Sequence, residues 1–158
     1  MIISRASASD AATVAAIMND VIENSTATFT TVTKTVAQVV QDIQPPQPCL
    51  VVRDSAEVIG YARYFPFRAG PGYAHAAEYS IALTVQARGT GISRDLLNAL
   101  CEMARNDGKT QLIGALSGDN QAAIHFHLNN GFEQVGRLPD AGQKWGKSLD
   151  LILMQKRL

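Results

Sequence analysis

The chain has 158 residues, 46% of them hydrophobic, and a formal net charge of +0. That composition belongs to a folded globular protein with material for one substantial core, and excludes a disordered chain. The neutral balance without a basic block argues against nucleic acid as the main partner, and no apolar run approaches the ~20 residues needed to span a bilayer.

The beginning is polar by residue four and carries no secretory pattern. Ile2 to Ala6 reads as a short strand. Ser9 or Asp10 then caps a helix with Val14, Ile17, Val21 and Ile22 on one face. From Asn24 the chain turns polar, through Ser-Thr-Ala-Thr-Phe-Thr to Thr31. A second helix follows, with Val36, Val39, Val40 and Ile43 at the same spacing. Gln44-Pro45-Pro46-Gln47-Pro48 is a stiff bridge, too short to divide domains, so residues 1–158 are expected to form a single domain. Cys49 to Arg53 and Val58 to Phe65 are strands joined by a polar turn at Asp54-Ser55. Arg68 to Gly72 is a loop.

Tyr79 to Val85 alternates strictly: Tyr79, Ile81, Leu83 and Val85 point one way, Ser80, Ala82 and Thr84 the other. Arg88-Gly89-Thr90-Gly91-Ile92-Ser93-Arg94 follows, and then Ile92, Leu96, Leu97, Leu100 and Met103 recur at helical spacing. A glycine-broken turn therefore joins a strand to a helix. A helix N-terminus offers free N–H groups and a positive dipole end, glycines let backbone approach a ligand, and Arg88 adds a cation. The natural guest of such a turn is a phosphate or pyrophosphate. An ordinary strand-to-helix turn is the competing reading.

The helix ends near Asp107-Gly108, and Gln111 to Leu116 is a buried strand. Asn120 to Asn130 is a helix capped by Asn120 and stopped by Gly131; it is expected to turn Ala123, Ile124 and Leu128 to the core, with His127 at the edge of that sector. Glu133 to Leu138 and Leu149 to Gln155 are the last strands, with Lys144 exposed in a turn between Gly142 and Gly146. Asp150 interrupts an apolar strand, so it needs a partner. The order β-α-α-β-β-β-α-β-α-β-β predicts an α/β fold, a single mixed, mostly antiparallel sheet with helices on both faces. The two strand–helix–strand passages between Tyr79 and Leu138 are expected to be parallel. Cys49 and Cys101 lack any CxxC or Cys/His spacing and read as reduced, packed thiols of a cytoplasmic protein, with no metal site.

Arg88-x-x-Gly91 after an alternating strand, with the later Asn120-to-His127 helix and Asn130-Gly131-Phe132, resembles the GNAT superfamily of N-acetyltransferases, whose signature is Arg/Gln-x-x-Gly-x-Gly/Ala. More narrowly, Thr26 to Thr30, Glu78, His127, Gly142-Gln143-Lys144-Trp145-Gly146 and Asp150 are similar to the phosphinothricin N-acetyltransferase subgroup. Three positions depart from those patterns. Ser93 replaces the last Gly/Ala, Thr30 stands where the subgroup often has arginine, and Ser148 stands where it commonly has tryptophan.

The resemblance implies a GNAT-like fold in which an acetyl group passes from acetyl-CoA to a primary amine, without a metal. Glu78 would be the general base, on the small-residue face of Ser80, Ala82 and Thr84. His127 would protonate the departing thiolate, or orient Glu78 or the amine. A main-chain N–H from Leu83, Thr84 or Val85 would polarise the thioester carbonyl. Residues Arg88, Gly89, Thr90, Gly91, Ile92, Ser93, Arg94 and Asn120 would hold CoA; Phe29, Tyr79 and Lys144 would line the acceptor side. The implied acceptor is a small amino acid or analogue, and the implied assembly is a homodimer. Acetylation of another small amine or of a protein N-terminus is the alternative activity. A CoA-binding sensor without turnover is the alternative from outside catalysis, and it would need neither Glu78 nor His127.

Overall fold

In the computed structural model, which describes residues 1–158, the elements follow the expected order. They are β1 Ile2–Arg5, α1 Ala11–Asn24, α2 Val36–Ile43, β2 Cys49–Asp54, β3 Glu57–Pro66, β4 Ala76–Leu83, α3 Ile92–Asn106, β5 Gln111–Ser117, α4 Gln121–Asn129, β6 Glu133–Lys144 and β7 Lys147–Arg157. The strands form one mixed sheet in the order β1-β2-β3-β4-β5-β7-β6. Only β4 and β5 are parallel neighbours; all other pairs are antiparallel. No helix is long and apolar enough to cross a membrane.

The first strand–helix–strand passage, β4-α3-β5, is parallel as expected, and its two strands are neighbours. The second is parallel in direction too, but its strands are not neighbours. β6 runs in the same direction as β5, but β7 inserts between them and pairs antiparallel with both. The residues give the reason. β7 is apolar on both faces through Leu149, Leu151, Ile152, Leu153 and Met154, which suits an interior strand, whereas β6 is largely exposed and takes the edge.

The helices divide between the faces. On one, Leu96, Leu97 and Leu100 of α3 pack against Ala77, Tyr79 and Leu83 of β4, and the cluster continues to Phe132 and Met154 beside α4. On the other, Val14 and Ile17 of α1 and Val39 and Ile43 of α2 pack on Val51 and Tyr61, with Ala82 against them. Alternation along β4 therefore sends Glu78, Ser80 and Ala82 to the α1/α2 face and Tyr79 and Leu83 to the α3/α4 face.

Local chemistry explains the helix starts. Thr35 and Gln38 form a reciprocal capping box at α2, with bonds of 3.2 and 2.9 Å. Asp10 accepts from the Ser7 N–H at 2.8 Å and pairs with Arg53 at 2.6 Å, closing a short 3-10 turn ahead of α1. Three apolar expectations are corrected. Val85 lies beyond the end of β4 in a 3-10 turn, Val36 in the first turn of α2 and Leu128 on the outer side of α4, and all three are exposed. Asp150 does find partners: Arg137, and the Asp140 N–H at 2.9 Å.

Candidate active site

The β4–β5 pairing runs from Ala76–Gln111 to Tyr79–Gly114 and stops, although both strands continue to Leu83 and Ser117. The two parallel strands splay apart beyond that point. Strand N–H groups point alternately to the two neighbours. The Thr84 N–H donates to Ile59 O of β3 at 2.9 Å, so it is engaged. Leu83, one residue earlier, consequently points its N–H away from β3 and into the splay. Of the three residues expected to supply a carbonyl-polarising donor, Leu83 has the right direction.

The glycine turn lies just past this opening. Gly89 and Gly91 have φ of +77° and +86°, and a Cβ built on either meets nothing within 4 Å. The ground in front of them is open, and the positive φ explains why glycine stands there. The N–H groups of Gly89, Thr90 and Gly91 have no backbone acceptor. The Thr90 hydroxyl donates to Ala87 O at 2.8 Å and steadies the turn. Gly91 is the N-cap residue of the 15-residue α3, so Ile92 and Ser93 present the first helical N–H groups to the same space. Arg88 and Arg94 flank it, both exposed. The donors, dipole and cations fit a pyrophosphate. Asn120 caps α4, accepting from the Ala123 N–H at 3.1 Å.

Glu78 lies half-buried on the opposite face. Its neighbours in register are Phe65 on β3 and Ile113 on β5, both apolar. No cation pairs with it. Burial alone pushes its carboxyl above the ordinary value, toward the range of a working base.

His127 is corrected from the edge of an apolar sector to a packed position, 3% exposed. Its Nδ1 lies 2.6 Å from Ala123 O, which can only accept, so Nδ1 carries the proton. Its Nε2 then accepts from the Tyr79 hydroxyl at 2.5 Å. Burial lowers the His127 pKa and raises that of Tyr79, so both are neutral at neutral pH. Phe126 and Phe132 close edge-on around the imidazole. Gly114 makes room for the pair: a Cβ there would come within 3.1 Å of Nε2 and 3.3 Å of the Tyr79 ring. Nothing in the spacing of the Gln111-to-Leu116 strand marked that requirement. Two expectations change with this geometry. Tyr79 does not line the acceptor side, because it faces α3 and α4. His127 does not orient Glu78, because the sheet lies between them.

Lys144 is also corrected. It is 2% exposed, not a surface lysine. Its ammonium donates to the carbonyls of Ile22, Ser25 and Thr28 at 2.6, 2.6 and 3.0 Å. All three protons are engaged, so Lys144 offers no free cation to a substrate. It ties the end of α1 and the polar segment after it to the β6–β7 hairpin. Phe29, in that segment, lies over Gly142, where a Cβ would overlap its ring. Phe29 thus remains on the Glu78 side of the sheet.

Neither of two surface cavities contains Glu78 or the glycine turn. One of about 390 Å³ touches Ile3, Leu50 and Met103; the other, of about 420 Å³, touches Asp119, Gln121 and Arg137. Cys49 offers no nucleophile, since burial pushes its thiol up to about 12. The functional geometry is centred on the open splay.

A parallel pair that parts above a glycine-lined turn of free N–H groups, with a half-buried carboxylate across the strand, is a geometry suited to acyl transfer from a phosphorylated carrier. Residues 15–132 match the model of the acetyltransferase (GNAT) family. The chain is 39% identical over 148 residues to the L-methionine sulfoximine/L-methionine sulfone acetyltransferase of Pseudomonas paraeruginosa, covering 90% of this chain and 86% of that one. It superposes on a ribosomal-protein-alanine N-acetyltransferase from Brucella melitensis with a TM-score of 0.93, 37% identity and 100% of both chains covered. A phosphinothricin acetyltransferase from Sinorhizobium meliloti, in complex with acetyl-CoA, gives a TM-score of 0.91 and 30% identity, with 99% of this chain and 88% of that one covered. The chain belongs to the GNAT family and is an amine N-acetyltransferase.

Proposed function

We propose that this enzyme moves the acetyl group of acetyl-CoA to the α-amine of a small amino acid or analogue, of the methionine sulfoximine, methionine sulfone or phosphinothricin type. Glu78 carries the reading: a half-buried carboxylate paired with no cation, beside the splay. The names of the similar proteins support the same acceptor class. Bound acetyl-CoA supplies an activated thioester. The N–H groups of Gly89 to Ser93, with Arg88 and Arg94, hold its pyrophosphate, and Asn120 bonds the pantetheine arm. The Leu83 N–H meets the thioester oxygen, where negative charge grows during attack. Glu78 takes the proton of the substrate ammonium, directly or through water, and frees the lone pair. The amine nitrogen bonds the thioester carbon, the C–S bond breaks, and the thiolate leaves as CoA-SH with the second amine proton. His127 is a positioning residue: it fixes the Tyr79 ring beneath the splay.

Thiol release measured with an amine panel tests this reading. The expected result is the highest kcat/KM with L-methionine sulfoximine, L-methionine sulfone or phosphinothricin. The 37% identity to the Brucella melitensis protein favours a second reading, acetylation of an N-terminal alanine. Release only with an alanyl peptide would select it. Acetyl-CoA binding without release from any amine would leave a sensor.

Gly91→Asp adds a negative charge where a pyrophosphate binds and should weaken acetyl-CoA by about tenfold or more. Gly91→Asn carries the same backbone strain without the charge, so it should lose much less. Equal calorimetric affinity for wild type and Gly91→Asp would remove the turn from the CoA site.

The same proposal treats residues 1–158 as one N-acetyltransferase domain working in the cytoplasm, where buried, unpaired Cys49 and Cys101 stay reduced. It also treats the enzyme as a homodimer. Leu128, Val135, Leu138 and Trp145, on α4 and the β6–β7 hairpin, are each 45% to 55% exposed and supply apolar surface for a partner copy. Light scattering should give twice 17.0 kDa; a monomeric mass at micromolar concentration would contradict the dimer.

A further inference from the structure

Arg63 lies on β3 opposite Ser80, and Phe65 lies opposite Glu78, all on the α1/α2 face. Arg63 is therefore the diagonal neighbour of Glu78 across the strand pair, at about 7–8 Å between backbones. Its side chain is 15% exposed. Its Nη1 pairs with Asp42 Oδ2 of α2 at 3.0 Å, and the same oxygen takes Lys34 Nζ at 3.0 Å. One carboxylate thus serves two cations, so Asp42 does not by itself neutralise Arg63. The guanidinium carbon stands 5.2 Å from the centroid of the Phe65 ring, within cation–π range.

The second observation is an unmet donor. Arg63 Nε is buried and has no hydrogen-bond partner. A buried N–H without an acceptor is costly and uncommon. With Nη1 turned to Asp42, the Nε–Nη2 edge of the guanidinium is left. That edge is the two-donor fork that matches a carboxylate.

We propose that Arg63 receives the α-carboxylate of the acceptor, so that Glu78 and Arg63 together select a zwitterionic α-amino acid. This rests on the amino-acid acetyltransferase reading. The ammonium sits by Glu78 and loses its proton there, while the carboxylate on the same Cα meets the Arg63 fork. Asp42 and Lys34 keep the guanidinium in place. A primary amine without a carboxylate makes only half of this match.

The test compares L-methionine sulfone with its decarboxylated counterpart, 3-(methylsulfonyl)propan-1-amine, in wild type, Arg63→Gln and Arg63→Lys. Wild type should favour the amino acid. Arg63→Gln should lower its kcat/KM by about 10- to 100-fold, mainly through KM, the scale of lost charge-assisted hydrogen bonds. The amine should change far less, so discrimination collapses. Arg63→Lys keeps a charge without the fork, preserves the Asp42 pair and should give an intermediate loss confined to the amino acid. Unchanged discrimination in Arg63→Lys, or equal losses for both substrates in Arg63→Gln, would overturn the assignment while leaving the amino-acid reading intact. A wild-type enzyme that acetylates neither compound would sink that reading itself, and the Arg63 assignment with it.

Discussion

Glu78→Gln should lower turnover by ~10²-fold or more at neutral pH, the usual scale for a positioned base. Acetyl-CoA affinity should remain nearly intact, because the carboxylate and the glycine turn lie on different faces of β4. The amide keeps the shape and polarity of the side chain but cannot take a proton. The pH profile separates this from a structural effect. Burial raises the Glu78 pKa, so the wild-type acid limb should lie above the ordinary carboxylate range, with activity rising as Glu78 ionises. The variant lacks that limb and retains only the limb set by free amine. Raising the pH should therefore restore part of its rate. The stability sign runs opposite to that of a salt-bridged carboxylate. A raised pKa means that the ionised group costs stability above its unfolded pKa, and that the cost fades as pH falls through the folded value. Glu78→Gln should thus melt no lower than wild type near neutrality. A variant with near wild-type turnover at neutral pH would reduce Glu78 to a strand-end carboxylate.

The sequence made this base legible because alternation is a strong signal. Tyr79 to Leu83 has no break in its period, so the faces of Glu78 and Tyr79 follow without any knowledge of the fold. The anion turn was legible for a similar reason: Gly89 and Gly91 mark positive φ just before a helical repeat. What stayed hidden depends on partners distant in the chain. Tyr79 finds His127 only because Gly114, from the parallel strand, leaves space between them. Arg63 meets Asp42 across a strand–helix contact that no local pattern encodes. The place of β7 was readable in principle, since apolar residues on both faces call for an interior strand. Lys144 was the hardest case. Its acceptors are three main-chain carbonyls, and a carbonyl leaves no mark on residue identity.

Lys144→Met should therefore destabilise the protein by about 3 kcal/mol or more, since the methionine fills much of the volume and leaves buried acceptors without a donor. For a chain of this size that is a fall of roughly 6–12 °C in Tm. The geometry makes the loss specific. Ile22 lies in the last turn of α1, where carbonyls have no partner within the helix and the dipole end is negative. The last turn of α1 carries no basic residue of its own, so the cation arrives from the β6–β7 hairpin. The same ammonium holds Ser25 and Thr28, which lead directly into Phe29 over Gly142. Without it, residues 25–31 should loosen before the sheet does. Limited proteolysis should cut there first, and KM for the acceptor should rise while acetyl-CoA affinity changes little. Lys144→Arg should not restore the wild-type melt, because a planar guanidinium cannot direct three donors to carbonyls converging on one point. If Lys144→Met melts within 2 °C of wild type and keeps its acceptor KM, a measurable contribution from the three-carbonyl tie is excluded, and another contact must hold the Phe29 segment against the hairpin.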